Sequence, residues 1–142
     1  LDELQAAILR VKLRFLAQDN AKRQAVAGQY DARLSGSSLT IPRTYPGHTH
    51  VYHQYVIRTR HRDELKEFLE KSSVGSLIHY PVPIHLQPAY RDCRLAQGGL
   101  TETERICCEI LSLPIHPYLT ADEVGRVADA ILSWLQQEPQ PK

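Results

Sequence analysis

The apolar residues of positions 1–34 recur at helical spacing, and this pattern limits the possible folds more than any other stretch of the sequence. Steps of three and four residues place these side chains on one face of a helix, while good helix formers fill the opposite face. A helix of this length would extend for about 50 Å. We therefore predict one long helix that reaches towards a second body, or two helices separated at Asp19 and Asn20. The stripe consists of Leu1, Leu4, Ile8, Val11 and Phe15.

The beginning of the chain leads us to expect that the natural protein starts upstream of Leu1. The sequence contains no Met, although a translated chain begins with one and its removal normally requires a small second residue. The helical pattern is also present from Leu1 onwards, with no residue before it that could cap a helix.

After residues 35–49, whose Ser, Pro and Gly residues indicate an irregular loop, predicted strands and helices alternate. Capping boxes at 101–104 and 120–123 open the last two helices. The predicted strands cover residues 50–59, 76–80 and 112–116, and the predicted helices cover residues 62–72, 101–111 and 121–135.

This order of elements predicts an α/β (α+β) fold in which helices flank a small, mostly antiparallel sheet. Residues 1–136 form the single predicted domain, which consists of the long helix at 1–34 and a small α/β unit at 50–136. Residues 137–142 contain two prolines and are expected to form a frayed tail.

Charge and hydropathy exclude several classes of protein. The net charge is +1 and basic residues are mixed with acidic ones, so we expect no nucleic-acid partner. No apolar run approaches the roughly 20 residues of a membrane span, and no signal peptide is visible. Three cysteines, two of them adjacent, are not a disulfide framework. We expect reduced thiols, a cytoplasmic location and no membrane partner.

Motifs for metal binding and covalent catalysis are absent from the sequence. His50 and His53 would lie on opposite faces of a strand, and no Cys-x-x-Cys or His-Glu-x-x-His motif accompanies them, so we expect no metal site. No nucleophile elbow or glycine-rich phosphate loop is present. The lysines fall on charged predicted helices or in the tail, which does not suit Schiff-base chemistry. They are Lys12, Lys22, Lys66, Lys71 and Lys142.

Residues 79–85, His-Tyr-Pro-Val-Pro-Ile-His, predict a stiff loop. The two prolines exclude both helix and strand and fix the path of the chain. Imidazole and phenol groups supply hydrogen-bond donors and acceptors, which suits the wall of a ligand pocket. The alternative is a surface corner in which the tyrosine packs and the histidines are solvated. The polar and aromatic residues of the wider loop are His79, Tyr80, His85, Gln87 and Tyr90.

Four stretches in this order and spacing resemble the C-terminal part of the DegT/DnrJ-type sugar aminotransferases, over about residues 1–135. They are LDELQAAIL at 1–9, VYHQYVIR at 51–58, IHYPVPIHLQPAY at 78–90 and LSLPIHPYLT at 111–120. The third stretch is most similar to enzymes that aminate 3-keto sugars attached to a nucleotide. Two positions depart from the family pattern. Arg14-Phe15 stands where a Pro-containing turn is usual, and Gly99-Leu100 stands where Phe-Pro is common.

The resemblance implies a fold-type-I enzyme that depends on pyridoxal phosphate. In such homodimers a large N-terminal domain holds the cofactor on a lysine, and a smaller C-terminal domain follows a long helix and closes over the site. The amino group usually comes from glutamate. The cofactor domain has no match here, so we expect no catalytic residue, no bound cofactor and no activity from this chain alone. The resemblance implies that His79, Tyr80 and His85 face the nucleotide sugar or the mouth of the cofactor pocket, and we expect them to bind and orient the substrate rather than transfer protons.

Two interpretations of this chain remain open. The chain is either the C-terminal part of a larger aminotransferase, or a stand-alone binding or oligomerisation module derived from one. In both readings the apolar stripe of the first helix is expected to face something else, either a second copy or the missing cofactor domain. The nucleotide sugar is then a weak ligand of the isolated chain.

Overall fold

A computed structural model describes residues 2–90, 92–95 and 97–137 of the chain. Within these residues five α-helices and two β-strands follow one another, and two short 3₁₀ turns lie in the segment between α3 and α4. In chain order the elements are α1 (Glu3–Leu13), α2 (Leu16–Leu34), β1 (Tyr55–Arg58), α3 (Arg62–Lys71), the turns Ile84–Leu86 and Pro88–Tyr90, α4 (Thr101–Glu109), β2 (Ile110–Leu113) and α5 (Ala121–Gln137).

The predicted single helix at 1–34 is wrong, and so is the alternative break at Asp19 and Asn20. The helix breaks at Arg14 and Phe15. The Phe15 N–H donates to the Lys12 carbonyl at 3.0 Å, and this tightening of the last turn ends α1. Asp19 lies instead in the first turn of α2, where a carboxylate complements the helix dipole.

The expectation of an uncapped first helix is also wrong. Asp2 has extended backbone geometry, and its carboxylate accepts a hydrogen bond from the Leu4 N–H at 2.9 Å. This is the geometry of a normal N-cap, so α1 begins at Glu3 with its own capping residue.

The sheet is small and antiparallel, as predicted. β1 pairs with β2, with Tyr55 opposite Leu113 and Arg58 opposite Ile110. The predicted strand at 76–80 contributes one bridge, between Leu77 and Ser112 on the other edge of β2. A second isolated bridge joins Thr40 to Arg58.

The predicted strand at 50–59 is shorter than expected because its first half makes other hydrogen bonds. The His50 imidazole accepts the Tyr52 N–H at 2.8 Å. The Arg23 guanidinium approaches the carbonyl oxygens of Tyr52 and His53 and donates to that of Ile115 at 3.0 Å. These side chains satisfy backbone groups that a sheet ladder would otherwise use.

The core lies between the sheet and helices α2, α3 and α5. Leu65 and Leu69 of α3 face it, as predicted. Two buried tyrosines extend the core towards the loops: the Tyr30 hydroxyl donates to the Pro114 carbonyl, and the Tyr55 hydroxyl donates to Asp31 at 2.6 Å. Residues without exposed surface include Tyr30, Tyr55, Ile57, Leu65, Leu69, Leu111, Val124 and Ile131.

Of the two predicted capping boxes, one forms. The Thr120 N–H donates to the Glu123 carboxylate at 2.8 Å, and Glu123 N–H donates back to the Thr120 hydroxyl at 3.3 Å. The Thr120 N–H holds the pKa of Glu123 below its usual value. The box at 101–104 is wrong, because Leu100 occupies the cap position and Thr101 is already helical.

Within the part of the chain that the structure describes, no helix is long and apolar enough to cross a membrane. The three cysteines, Cys93, Cys107 and Cys108, are free thiols, as predicted. Helix α5 includes Gln137, and the remainder of the predicted frayed tail, residues 138–142, lies outside the described residues.

Candidate functional site

The predicted stiff loop leaves the sheet beside β2. Leu77 and Ser112 exchange both backbone hydrogen bonds, at 2.8 and 3.2 Å, and the chain then departs from the strand. The two 3₁₀ turns follow, and residues 79–83 are neither helix nor strand, as the prolines predicted. The loop is therefore held at its start by the edge of the sheet.

His79 lies at the edge of the sheet and faces β2. Its Nδ1 is 2.9 Å from the Ser112 hydroxyl. Both residues line an open groove of ≈ 640 Å³ between the start of the loop and the ends of both strands. The polar side chains of this groove are His53, Gln54, Ser76, His79 and Ser112.

Tyr80 projects away from the domain, with 70 % of its surface exposed. The peptide bond that joins it to His79 is cis, and the two rings meet edge to face with centroids 5.7 Å apart. Tyr80 is thus the most exposed of the three predicted binding residues, and its phenol is available to a ligand.

His85 faces the opposite way, into the contact between the loop and α4. Its Nε2 is 3.0 Å from a carboxylate oxygen of Glu104, and only 6 % of the histidine side chain is exposed. The ring also lines a small cavity of ≈ 270 Å³ with Tyr90, Cys93 and Leu100. The three predicted binding residues therefore belong to one loop but face different ways. His79 faces the sheet, Tyr80 faces solvent and His85 faces α4.

Sequence reasoning missed Ser112 and Glu104, the two residues that hold these histidines. Glu104 had been assigned to a capping box, and its carboxylate pairs with His85 instead. Ser112 is the one polar residue of β2, and it is 6 % exposed. A hydroxyl inside an otherwise apolar strand is a signal in itself, because burial without a hydrogen-bond partner is costly.

The lysines of the described chain offer no anchor for an aldehyde cofactor near the loop. Lys22 stacks over the Tyr118 ring, Lys66 approaches Glu70, and Lys71 pairs with Glu67 at 2.7 Å. Lys12 lies in the last turn of α1. None of these four lines the groove beside His79 or the cavity beside His85. The residues present therefore do not fit a Schiff-base site.

No cluster of three or more metal-binding side chains occurs among residues 2–90, 92–95 and 97–137. His48 and His50 make local contacts instead: the first approaches the Pro46 carbonyl and the second accepts the Tyr52 N–H.

Among the described residues, large exposed apolar side chains are concentrated along α1 and along residues 77–86. The described residues of the predicted stripe face solvent, with Leu4 72 % exposed and Ile8 53 % exposed, and Leu1 lies outside the described residues. In the loop, the exposed apolar residues are Leu77, Val82, Ile84 and Leu86. Exposed patches of this kind mark contact surfaces in soluble proteins.

These features define a small α/β domain that presents a stiff His/Tyr loop beside a sheet edge. The chain belongs to the DegT/DnrJ/EryC1/StrS aminotransferase family, whose sequence model matches residues 1–132.

The chain is similar to nucleotide-sugar aminotransferases along nearly its whole length. It is 40 % identical over 141 residues to the dTDP-3-amino-3,4,6-trideoxy-alpha-D-glucose transaminase of Streptomyces venezuelae, with 99 % of this chain and 37 % of that protein covered. It is 37 % identical over 131 residues to the UDP-N-acetyl-3-dehydro-alpha-D-glucosamine 3-aminotransferase of Acidithiobacillus ferrooxidans, with 92 % of this chain and 35 % of that protein covered.

The solved structure of S. venezuelae DesV in complex with a ketimine intermediate superimposes with a TM-score of 0.92. The sequence identity is 39 %, and the match covers 98 % of this chain and 38 % of that one. This chain thus spans little more than a third of the length of the relatives that it matches.

Proposed function

We propose that this chain is the C-terminal part of a pyridoxal-phosphate-dependent aminotransferase that acts on nucleotide-linked keto sugars. The observation that carries the proposal is the near-complete structural match of this chain to one part of a transaminase trapped with its ketimine. A keto group at sugar carbon 3 is favoured, because the names of relatives include a 3-amino and a 3-dehydro sugar.

The loop at 79–90 is the part of this chain that we assign to binding the nucleotide sugar. Tyr80 offers an exposed phenol, and His79 lines the groove beside it. His85, with its ring turned to Glu104, supports binding by fixing the second half of the loop against α4. The three residues orient the substrate, and none of them is assigned a proton transfer.

Pyridoxal phosphate, when bound, carries the amino group from an amino acid such as glutamate to the sugar. The described lysines of this chain do not fit its anchor, so we assign cofactor binding to the cofactor domain of the family. Residues 1–142 alone are then expected to be inactive and to hold no lysine-linked cofactor. This domain supplies substrate contacts and covers the site from one side.

The exposed face of α1 is the proposed contact surface for the rest of the enzyme. Three residues on one face of α1, Leu4, Ile8 and Val11, leave more than half of their surface in solvent, which is unfavourable unless another surface covers them. The cofactor domain is the first candidate partner, and a second copy of this chain is the alternative. Homodimeric assembly and a cytoplasmic location belong to the same proposal, and the free thiols are consistent with that location.

A chimera tests the activity. This chain replaces the matching part of the Streptomyces venezuelae transaminase, and the purified chimera is incubated with pyridoxal phosphate, glutamate and dTDP-linked 3-keto sugars. We expect an aminated sugar nucleotide by mass spectrometry, with Tyr80→Ala raising the KM for the sugar. Tyr118→Ala is the matched control, since Tyr118 is similarly exposed but lies outside the loop. A folded, cofactor-loaded chimera that aminates no nucleotide sugar would contradict the proposal.

Light scattering of the isolated chain tests the alternative of a self-associating module. Ile8→Glu places a charge in the middle of the α1 stripe, so an oligomer held by this face should shift to the monomer. Gln18→Glu adds the same charge to α2 and should leave the mass unchanged. A wild-type monomer at high concentration would exclude a stable second-copy contact and leave the cofactor domain as the partner.

A further inference from the structure

We propose that Ser112 is a positioning residue for His79. Its hydroxyl binds His79 Nδ1, and this contact orients the imidazole so that Nε2 points to a polar group of the nucleotide sugar. This inference rests on the proposed function, because the sugar nucleotide is the ligand that His79 would contact.

The hydrogen bond between the two side chains has good geometry. The Ser112 hydroxyl is 2.9 Å from His79 Nδ1, within the normal range for such a bond. A hydroxyl can donate or accept, so the bond forms with either neutral tautomer of the imidazole. In both cases Nδ1 is occupied. Among the described residues, no hydrogen bond to His79 Nε2 is present, which leaves that nitrogen for a ligand.

The sheet register brings the two side chains together. Leu77 is the bridge partner of Ser112, and His79 follows Leu77 by two residues. Diagonal neighbours of this kind lie within reach of a ring-sized side chain. Two backbone hydrogen bonds fix the backbone of Ser112 against Leu77, which anchors the residue that carries the hydroxyl.

The burial of Ser112 makes this hydrogen bond more than a surface contact. Its relative exposure is 6 %, and its neighbours in β2 are Ile110, Leu111 and Leu113. A hydroxyl in such a strand is unfavourable without a partner, and His79 is the partner that the structure provides. Ser112 also lines the groove, so the imidazole is held at the groove wall rather than free in solvent.

Fixing the ring reduces the entropy that a ligand must otherwise overcome when it orders a mobile side chain. The expected signature is a KM effect. In the chimera, Ser112→Ala should raise the KM for the nucleotide sugar about fivefold, the size expected for one hydrogen bond, with kcat within about twofold. Ser112→Thr retains the hydroxyl and should stay within about twofold of the parent. Ser133→Ala, at an exposed position of α5, is the matched control for a Ser-to-Ala change.

A double-mutant cycle separates positioning from a general structural effect. If Ser112 acts through His79, then Ser112→Ala should have no further effect on KM in a His79→Ala background. The same fivefold change in both backgrounds, or no change in either, would overturn the inference. Ser112→Cys, which preserves the shape of the side chain with a weaker hydrogen bond, replaces the alanine variant if that variant does not fold.

The nitrogen NMR shifts of the His79 ring, measured on this chain without substrate, give a readout that does not depend on activity. The wild type and Ser112→Thr should show Nδ1 engaged in a hydrogen bond, and Ser112→Ala should lose that signature while amide dispersion stays native. Unchanged ring shifts in Ser112→Ala would overturn the inference. An inactive wild-type chimera would overturn the proposed function instead, and the ring shifts would still decide whether Ser112 holds His79.

Discussion

The buried core and the α1-plus-loop surface of this domain use the same kinds of residue in opposite ways. In the core, Leu65 and Leu69 of α3 have no exposed surface. On α1 and in the loop, Leu9, Leu77 and Ile84 are at least half exposed, although they are equally apolar. Helix α1 contains no buried residue at all.

This difference shows where the domain is complete and where it depends on another surface. The core residues bury one another, so their stabilisation is internal to residues 16–137. The exposed apolar residues gain much less from the fold described here, and a sequence that only had to keep this domain folded could carry polar residues at those positions. The two exposed regions are therefore the parts that we connect with the cofactor domain and the nucleotide sugar.

A matched pair of leucine truncations gives the largest expected contrast. Leu69→Ala removes a fully buried side chain from α3 and should lower the free energy of unfolding by about 2–5 kcal/mol. Leu9→Ala on α1 removes a side chain that is 51 % exposed and should cost less than about 1 kcal/mol. Urea unfolding at low protein concentration measures both. Equal losses would mean that the α1 face is covered in solution.

Alkaline pH should weaken the core through its two tyrosines. Burial raises the pKa of Tyr30, and burial followed by the hydrogen bond to Asp31 raises the pKa of Tyr55. Both values start from 10.0, so the unfolded chain loses these protons above about pH 10 while the folded chain keeps them. Stability is therefore fully present below that pH and falls above it, with a slope of at most about 1.4 kcal/mol per pH unit for each tyrosine.

Urea unfolding between about pH 9 and 11 measures this slope. Tyr30→Phe should make the slope shallower because it removes one of the two groups. Tyr45→Phe is the control, because Tyr45 is 80 % exposed and lies outside the core. A slope that does not respond to Tyr30→Phe would mean that Tyr30 ionises freely in the folded chain.

The two capping sequences give the smallest contrast. Thr120→Ala removes a hydroxyl that accepts the Glu123 N–H and should lower the free energy of unfolding by about 1 kcal/mol. Thr101→Ala changes a residue that makes no capping hydrogen bond, so its cost should stay within about 0.5 kcal/mol. Thermal and urea unfolding compare the two variants. A similar loss at Thr101 would indicate that the second box forms in solution.

The capping boxes also show the limit of sequence reasoning for this fold. Both have the same local pattern, and local pattern predicts hydrogen bonds that close within one helical turn. At 120–123 the local partner is used. At 101–104 the Glu104 carboxylate has a competing partner, His85, which lies 19 residues earlier in the chain. No periodicity within either segment encodes that choice.

The candidate site divides in the same way. The sequence predicts the stiff loop and its candidate residues His79, Tyr80 and His85, because the positions of prolines and aromatic residues can be read directly from it. The hydrogen bond between His79 and Ser112 joins positions 33 residues apart. It depends on the strand register, which is fixed only when β2 and Leu77 pair.

By itself, the sequence determined which segments are helical, the alternation of strand and helix, and the presence of a rigid polar loop. Each of these depends on interactions between near neighbours. Tertiary structure alone decided which apolar face stays exposed and which residue holds each loop histidine. Those outcomes depend on contacts between distant segments, whose free energies exist only after the chain has folded.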